Sequence, residues 1–172
     1  MHTGITYVQT LENNLTSQNL GSGDPRTPIS ARTDQGEAID VPVVACILAP
    51  DGSLIAEAGN TREADADPTG HAEIIAIRMA AKKLGDWRLD GLTIYSSLEP
   101  CLMCSSVIRE ARLSKVLFSI SSESQSFDIY DVLRDTRLPG RAPEVIQLRG
   151  DLLDSQPQAL QAFFQKLRKK RN

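Results

Sequence analysis

Two short stretches carry residue types that can do chemistry: Thr69-Gly70-His71-Ala72-Glu73, and downstream Glu99-Pro100-Cys101-Leu102-Met103-Cys104. His71, Cys101 and Cys104 supply three nitrogen and sulfur ligands, the number a catalytic Zn²⁺ takes while keeping a fourth position for water. Cys101 and Cys104 stand three residues apart, so at the start of a helix both sulfurs fall on one face. Pro100 suits the entry to that helix, where the first backbone N–H has no partner in any case. A helix N-terminus also favours the thiolate form that a metal requires. Glu73 places a carboxylate beside the metal position without ligating it. A bare Cys-x-x-Cys is also compatible with a redox pair or half of a closed structural zinc site. The chain has only three Cys and two His, so a closed site would have to recruit Cys46 or His2. His2 sits at the terminus and Cys46 within an apolar run, where a core role suits it better. The expectation is one catalytic Zn²⁺ per chain, held by His71, Cys101 and Cys104, with Glu73 as the catalytic carboxylate.

The elements that must position these groups follow from the chain in order. Tyr7, Val8, Leu11 and Leu15 have helical spacing, which predicts a first helix over 5–16. Residues 16–40 turn to Ser, Gly, Asp, Pro and Thr and read as a flexible insertion, either a surface excursion or a functional flap. Val41 to Ala49 is a buried strand, Pro50-Asp51-Gly52-Ser53 a turn, and Leu54 to Ala58 the returning strand of a hairpin. Gly59-Asn60-Thr61 reads locally as a turn. His71 to Leu84 predicts a strong helix with Ile74, Ile77, Ala81 and Leu84 on its apolar stripe and Gly85 ending it. Trp87 is expected to plug that helix end. A third strand over Leu92 to Leu98 leads to the Cys helix, which runs to about Arg112. A fourth strand over Lys115 to Ile120 precedes a polar segment and a short helix over Ile129 to Leu133. A fifth strand over Val145 to Leu148 and a closing helix from about Pro157 complete the chain. Five strands with helices between them imply a single α/β domain over 1–172, a central mixed five-stranded sheet with helices on both faces in three layers.

Length and composition agree with one soluble globular domain: 172 residues, 41% hydrophobic and 24% charged. No apolar run approaches the about 20 residues needed to span a bilayer. The N-terminus lacks the basic and apolar blocks of a signal peptide. Three Cys, two of them assigned to metal, leave no disulfide framework, so a reducing cytoplasm is expected and no membrane partner. A net charge of −3 argues against indiscriminate coating of nucleic acid, while leaving room for a local basic patch. Glu57, Glu63, Asp65 and Asp67 crowd the middle of the chain. Lys166, Arg168, Lys169, Lys170 and Arg171 end it, either as a nucleic-acid tail or as a solvated helix end.

His-x-Glu followed by Pro-Cys-x-x-Cys is the signature of zinc nucleobase deaminases. From about Val41 to Arg171 the chain further resembles the bacterial tRNA-specific adenosine deaminases of the cytidine deaminase-like superfamily. The matching pieces are Val41-Pro42-Val43, Gly59-Asn60, Asp67-Pro68-Thr69-Gly70-His71-Ala72-Glu73, Leu98-Glu99-Pro100-Cys101-Leu102-Met103-Cys104, Asp131-Val132-Leu133 and Phe163-Phe164 before the basic tail. The resemblance implies the cytidine deaminase-like fold, zinc on His71, Cys101 and Cys104, and proton transfer by Glu73. It also implies a base contact from Asn60, with Val41 and Ala72 beside the substrate, and a homodimer with active sites near the subunit interface. The chain departs from the family pattern at Val44, where Gly is usual, and at Ser105-Ser106, where Ala-Gly is usual. Its Ser121 to Phe127 stretch replaces a Gly-rich loop.

The expected reaction is hydrolytic deamination, in which zinc lowers the pKa of water toward roughly 7–9 and Glu73 moves the protons. The leading reading is adenosine-to-inosine conversion at the wobble position of a tRNA anticodon loop, where the target base is already out of a continuous stack. The alternative is a deaminase of a free nucleobase or nucleoside such as guanine. A non-catalytic tRNA-binding subunit with structural zinc is a third reading, for which Glu73 would be superfluous.

Overall fold

The computed structural model describes residues 39–122, 129–137 and 141–148. The expected helix over 5–16, nearly all of the 16–40 insertion, most of the 121–127 stretch, the closing helix and the basic tail lie outside the described residues.

The sheet grows from β1 (Val44–Leu48), whose five residues are all buried. Such a run has no polar face, and it therefore takes a central position with a neighbour on each side. Its antiparallel neighbours are β2 (Leu54–Gly59) and β3 (Thr93–Leu98). The hairpin between β1 and β2 turns at Gly52, whose φ of 85° only glycine adopts without strain. Asp51 Oδ1 accepts the Ser53 N–H there at 2.9 Å. Parallel strands β4 (Lys115–Ile120) and β5 (Glu144–Gln147) extend the other side, giving the order β2-β1-β3-β4-β5. The expected mixed five-stranded α/β sheet is thus observed. Strand ends shift by one to three residues. Val41 to Val43 fall outside β1, bound by a local Val43 N–H to Val41 O hydrogen bond of 2.7 Å.

Helix α1 (Ala72–Leu84) connects β2 to β3, α2 (Leu102–Glu110) connects β3 to β4, and α3 (Ile129–Arg134) precedes β5. All three pack on one face of the sheet, around Ala45, Ile47, Ile94, Ile108, Val116, Phe118, Ile129 and Leu133. Strand periodicity sends Val44, Cys46, Leu48, Tyr95 and Leu117 to the opposite face, where they form a second buried cluster. Cys46 is therefore a core residue, and burial pushes its thiol up.

The apolar stripe of α1 differs from the expected one. Ala72, Ile74, Ala76, Ile77 and Ala80 are buried, and Leu84 is 51% exposed. Alanines let the helix approach the sheet closely, and its last turn, with Lys82 and Lys83, projects into solvent. Gly85 ends the helix with φ 73° and donates its N–H to Ala81 O at 2.9 Å. Trp87 does not plug the helix end. It is 51% exposed, and the Arg88 and Arg112 guanidinium carbons lie 4.8 and 5.3 Å from its ring centroid. Cation–π contact, not burial, fixes the indole.

Helix α3 is anchored through the buried Arg109 of α2, which donates to Leu133 O at 2.7 Å and Asp135 O at 3.1 Å. These carbonyls close the C-terminal end of α3, where a cation is favoured. One turn earlier, Ser105 is fully buried and its hydroxyl has no hydrogen-bond partner among the described residues. An orphaned hydroxyl costs about 1–3 kcal/mol, and alanine is the better helix former. Ser105→Ala is accordingly expected to stabilise the protein by about 1–2 kcal/mol, seen as a higher melting temperature at unchanged zinc content.

Candidate metal centre and catalytic carboxylate

The two helices that carry the ligands begin at the same place. His71 is the N-cap of α1, with ψ 142°, and Cys101 is the N-cap of α2, with ψ 173°. Each is the last extended residue before its helix, so its side chain projects from the N-terminal end rather than along the barrel. Cys104 lies one turn into α2 and is buried. His71 Nδ1 stands 3.6 Å from Cys101 Sγ and 3.5 Å from Cys104 Sγ, and the two sulfurs are 3.5 Å apart.

A tetrahedral zinc with bonds of about 2.3 Å to sulfur and about 2.0 Å to nitrogen separates two sulfurs by about 3.8 Å and sulfur from nitrogen by about 3.5 Å. The observed triangle fits that centre, and His71, Cys101 and Cys104 form the one such cluster among the described residues. The hydrogen bond between Cys101 and Cys104 and the neighbouring His71 bring the Cys101 thiol down to about 4. That same bond, with burial, pushes the Cys104 thiol up, and the hydrogen bond with Cys101 raises His71.

Glu73 lies in the first turn of α1 and is 3% exposed. Burial raises its carboxyl above the usual range, which suits a group that must both accept and donate a proton near neutral pH. Its Oε1 accepts a hydrogen bond from Ser96 Oγ at 3.2 Å.

Asn60 is not a free turn residue. Its Oδ1 accepts the Ala72 N–H at 2.8 Å, satisfying the first backbone donor of α1 from outside the helix. Its own N–H reaches Val43 O at 3.3 Å. Asn60 is half-buried, and its amide nitrogen has no hydrogen bond among the described residues. The side chain of Ala72 is fully buried, so its backbone is what faces Asn60. Val41 is half-buried and packs against the edge of the main core.

Between Asn60 and His71 the chain makes a compact loop whose ends are joined by Thr61 N–H to Gly70 O at 2.9 Å. A Cβ on Gly70 would meet Arg62 backbone atoms and Asp67 O at 3.0–3.1 Å, so no larger residue fits without displacing the loop. Asp67 Oδ1 accepts from Thr69 N–H and hydroxyl at 2.8 and 2.7 Å.

Several of these supports have no local signature. Asp40, at the end of the polar 16–40 stretch, is 1% exposed. Its two oxygens accept Glu63 N–H at 2.8 Å and Ala64 N–H at 3.1 Å, pinning the loop between Asn60 and His71. Glu99 accepts the Ser122 N–H at 2.9 Å, fixing the strand end before Pro100. Ser97 Oγ accepts the Val44 N–H at 3.0 Å. The adjacent Ser96-Ser97 in β3 signals that partners must exist, since buried hydroxyls need them, without identifying those partners.

Comparison with known proteins places this arrangement in context. The model of the cytidine and deoxycytidylate deaminase zinc-binding region matches residues 28–120. The tRNA-specific adenosine deaminase of Bacillus subtilis (strain 168) is 38% identical over 134 residues, spanning 77% of this chain and 81% of that protein. A structure solved in biochemical and structural studies of A-to-I editing by tRNA:A34 deaminases at the wobble position of transfer RNA superposes with a TM-score of 0.58. Its identity is 33%, over 64% of this chain and 85% of that one. The guanine deaminase from Nitrosomonas europaea shares the fold, with a TM-score of 0.57 and 24% identity over 71% of this chain and 72% of that one.

Proposed function

The chain belongs to the zinc-dependent cytidine and deoxycytidylate deaminase family, and from that premise we propose that it converts adenosine to inosine at the wobble position of a tRNA anticodon loop. The observation that carries this reading is the ligand triangle with a buried carboxylate beside it, in a chain 38% identical to a tRNA-specific adenosine deaminase. His71, Cys101 and Cys104 would hold one Zn²⁺, which would supply Lewis-acid activation of water at neutral pH. Glu73 takes a proton from the attacking water and delivers it to the ring nitrogen of adenine, then carries the proton of the added hydroxyl to the departing amine. Adenosine and water thus yield inosine and ammonia. Asn60 contacts the base through its free amide nitrogen, next to Val41 and the backbone of Ala72. A half-buried contact of this kind needs an unstacked base, which a loop presents and a duplex does not.

The protein acts as a cytoplasmic homodimer in this reading. Support comes from the likeness to bacterial tRNA-specific adenosine deaminases. No helix among the described residues is long and apolar enough to cross a membrane. Residues Lys166, Arg168, Lys169, Lys170 and Arg171 contact tRNA phosphates. Their neutralisation is expected to weaken binding equally across loop sequences and to lower the log–log salt slope by about one unit per lost phosphate contact. Asn60→Ala is expected to impair turnover and leave the salt slope unchanged, because it removes no charge.

Incubation with total tRNA, followed by nucleoside analysis for inosine, tests the proposal. A parallel panel of free bases assayed for ammonia tests the guanine-type alternative. Inosine in tRNA with no ammonia from free bases is the expected outcome. The reverse pattern overturns it.

A further inference from the structure

Ser96 sits inside β3, paired with Ala45 of β1 and Phe118 of β4, and is fully buried. Strand alternation turns its side chain toward the helices, on the side of Ile94, and turns Ser97 to the opposite side. A hydroxyl in the centre of a sheet is unfavourable unless it is hydrogen-bonded. At this position the partner is the carboxylate of Glu73, 23 residues earlier in the chain, at 3.2 Å from Oε1. The bond crosses from sheet to helix. It therefore ties the carboxylate to the sheet as well as to its own backbone N–H in α1.

We propose that Ser96 is a positioning residue for the catalytic carboxylate: its hydroxyl holds Oε1 of Glu73 and leaves the second oxygen to exchange protons with water and substrate. This rests on the reading of Glu73 as the acid–base group. The side-chain hydrogen bond of Ser96 goes to Glu73, and it acts through the orientation of that carboxylate. Misplacement of a reacting group by about 1 Å costs on the order of 100-fold in rate, and a carboxylate released from one of its anchors loses part of that. Ser96→Ala is thus expected to lower kcat roughly 10- to 100-fold with KM little changed, since the base contacts lie elsewhere.

The test is steady-state kinetics on an anticodon stem-loop with adenosine at the wobble position, with zinc content and melting temperature measured for every variant. Ser96→Thr and Ser96→Val form an isosteric pair that differs only in the hydroxyl and decides the matter if Ser96→Ala does not fold. The Thr variant should keep kcat well above the Val variant at similar stability. In a Glu73→Gln background, Ser96→Ala should have no further effect on residual turnover, because the carboxylate it positions is gone. Ser97→Ala serves as the control, expected to lower stability and leave kcat intact. If Glu73→Gln itself keeps wild-type turnover, the acid–base reading falls. If Glu73→Gln is inactive while Ser96→Ala, or Ser96→Val where the alanine variant does not fold, matches wild-type kcat with normal zinc, the positioning role alone is overturned. Equal kcat for Thr and Val variants would also overturn it.

Discussion

Glu73→Ala is expected to retain its zinc and fold and to lose nearly all turnover. General acid–base catalysis is typically worth about 10²–10⁴-fold, and in the proposed mechanism one carboxylate serves successive transfers to ring nitrogen and leaving amine. Glu73 is 3% exposed, so alanine removes a buried carboxylate whose burial disfavours its charged form, and the fold tolerates the loss. Ser96 is left with an unbonded hydroxyl, a cost of about 1–3 kcal/mol that offsets part of this relief. The measurement is turnover at saturating substrate beside metal analysis and thermal melting. Activity within tenfold of wild type would assign the proton transfers to another group.

Cys101→Ser is expected to show the opposite profile, losing metal and stability together. The Cys101 thiol is the acidic member of the pair, lowered to about 4, whereas a serine hydroxyl stays protonated and is a poor zinc ligand. Metal binding at a site built from two helix N-termini contributes to folding, because the ligands are brought together only in the native state. Zinc per chain should fall from about one to near zero, with a clear drop in melting temperature that added zinc does not restore. Cys46→Ala, on the opposite face of the sheet, should keep its metal. A Cys101→Ser protein with full zinc would refute the ligand set.

The cluster of His71, Cys101 and Cys104 is legible because its chemistry is local: the spacing within each motif places the groups, and the strand and helix between them bring the motifs together. Asn60 was not readable in that way. Gly59-Asn60 has the composition of a turn, and only family resemblance suggested more; its bond to Ala72 N–H depends on how β2 ends against the start of α1. Asp40, Ser96 and Ser97 lie further beyond local reading, because their partners are 23, 23 and 53 residues away. Strand order and register set those meetings. Leu84 and Trp87 failed for another reason. Hydrophobicity predicts burial, yet Leu84 lies in the exposed last turn of α1, and the indole beyond it is stabilised by guanidinium stacking in solvent. The sheet itself was legible to within a few residues, because buried strands of β-branched residues and their turns are local features.

The most direct measurement is inosine formed per zinc-loaded chain on an anticodon stem-loop with adenosine at the wobble position. Wild-type and Glu73→Ala proteins should be assayed together, with free guanine as a competing substrate. Stoichiometric conversion of the wobble adenosine by the wild type, undiminished by guanine, is expected, with none above background by the variant at equal zinc. Ammonia released from guanine with the stem-loop left unedited would contradict it.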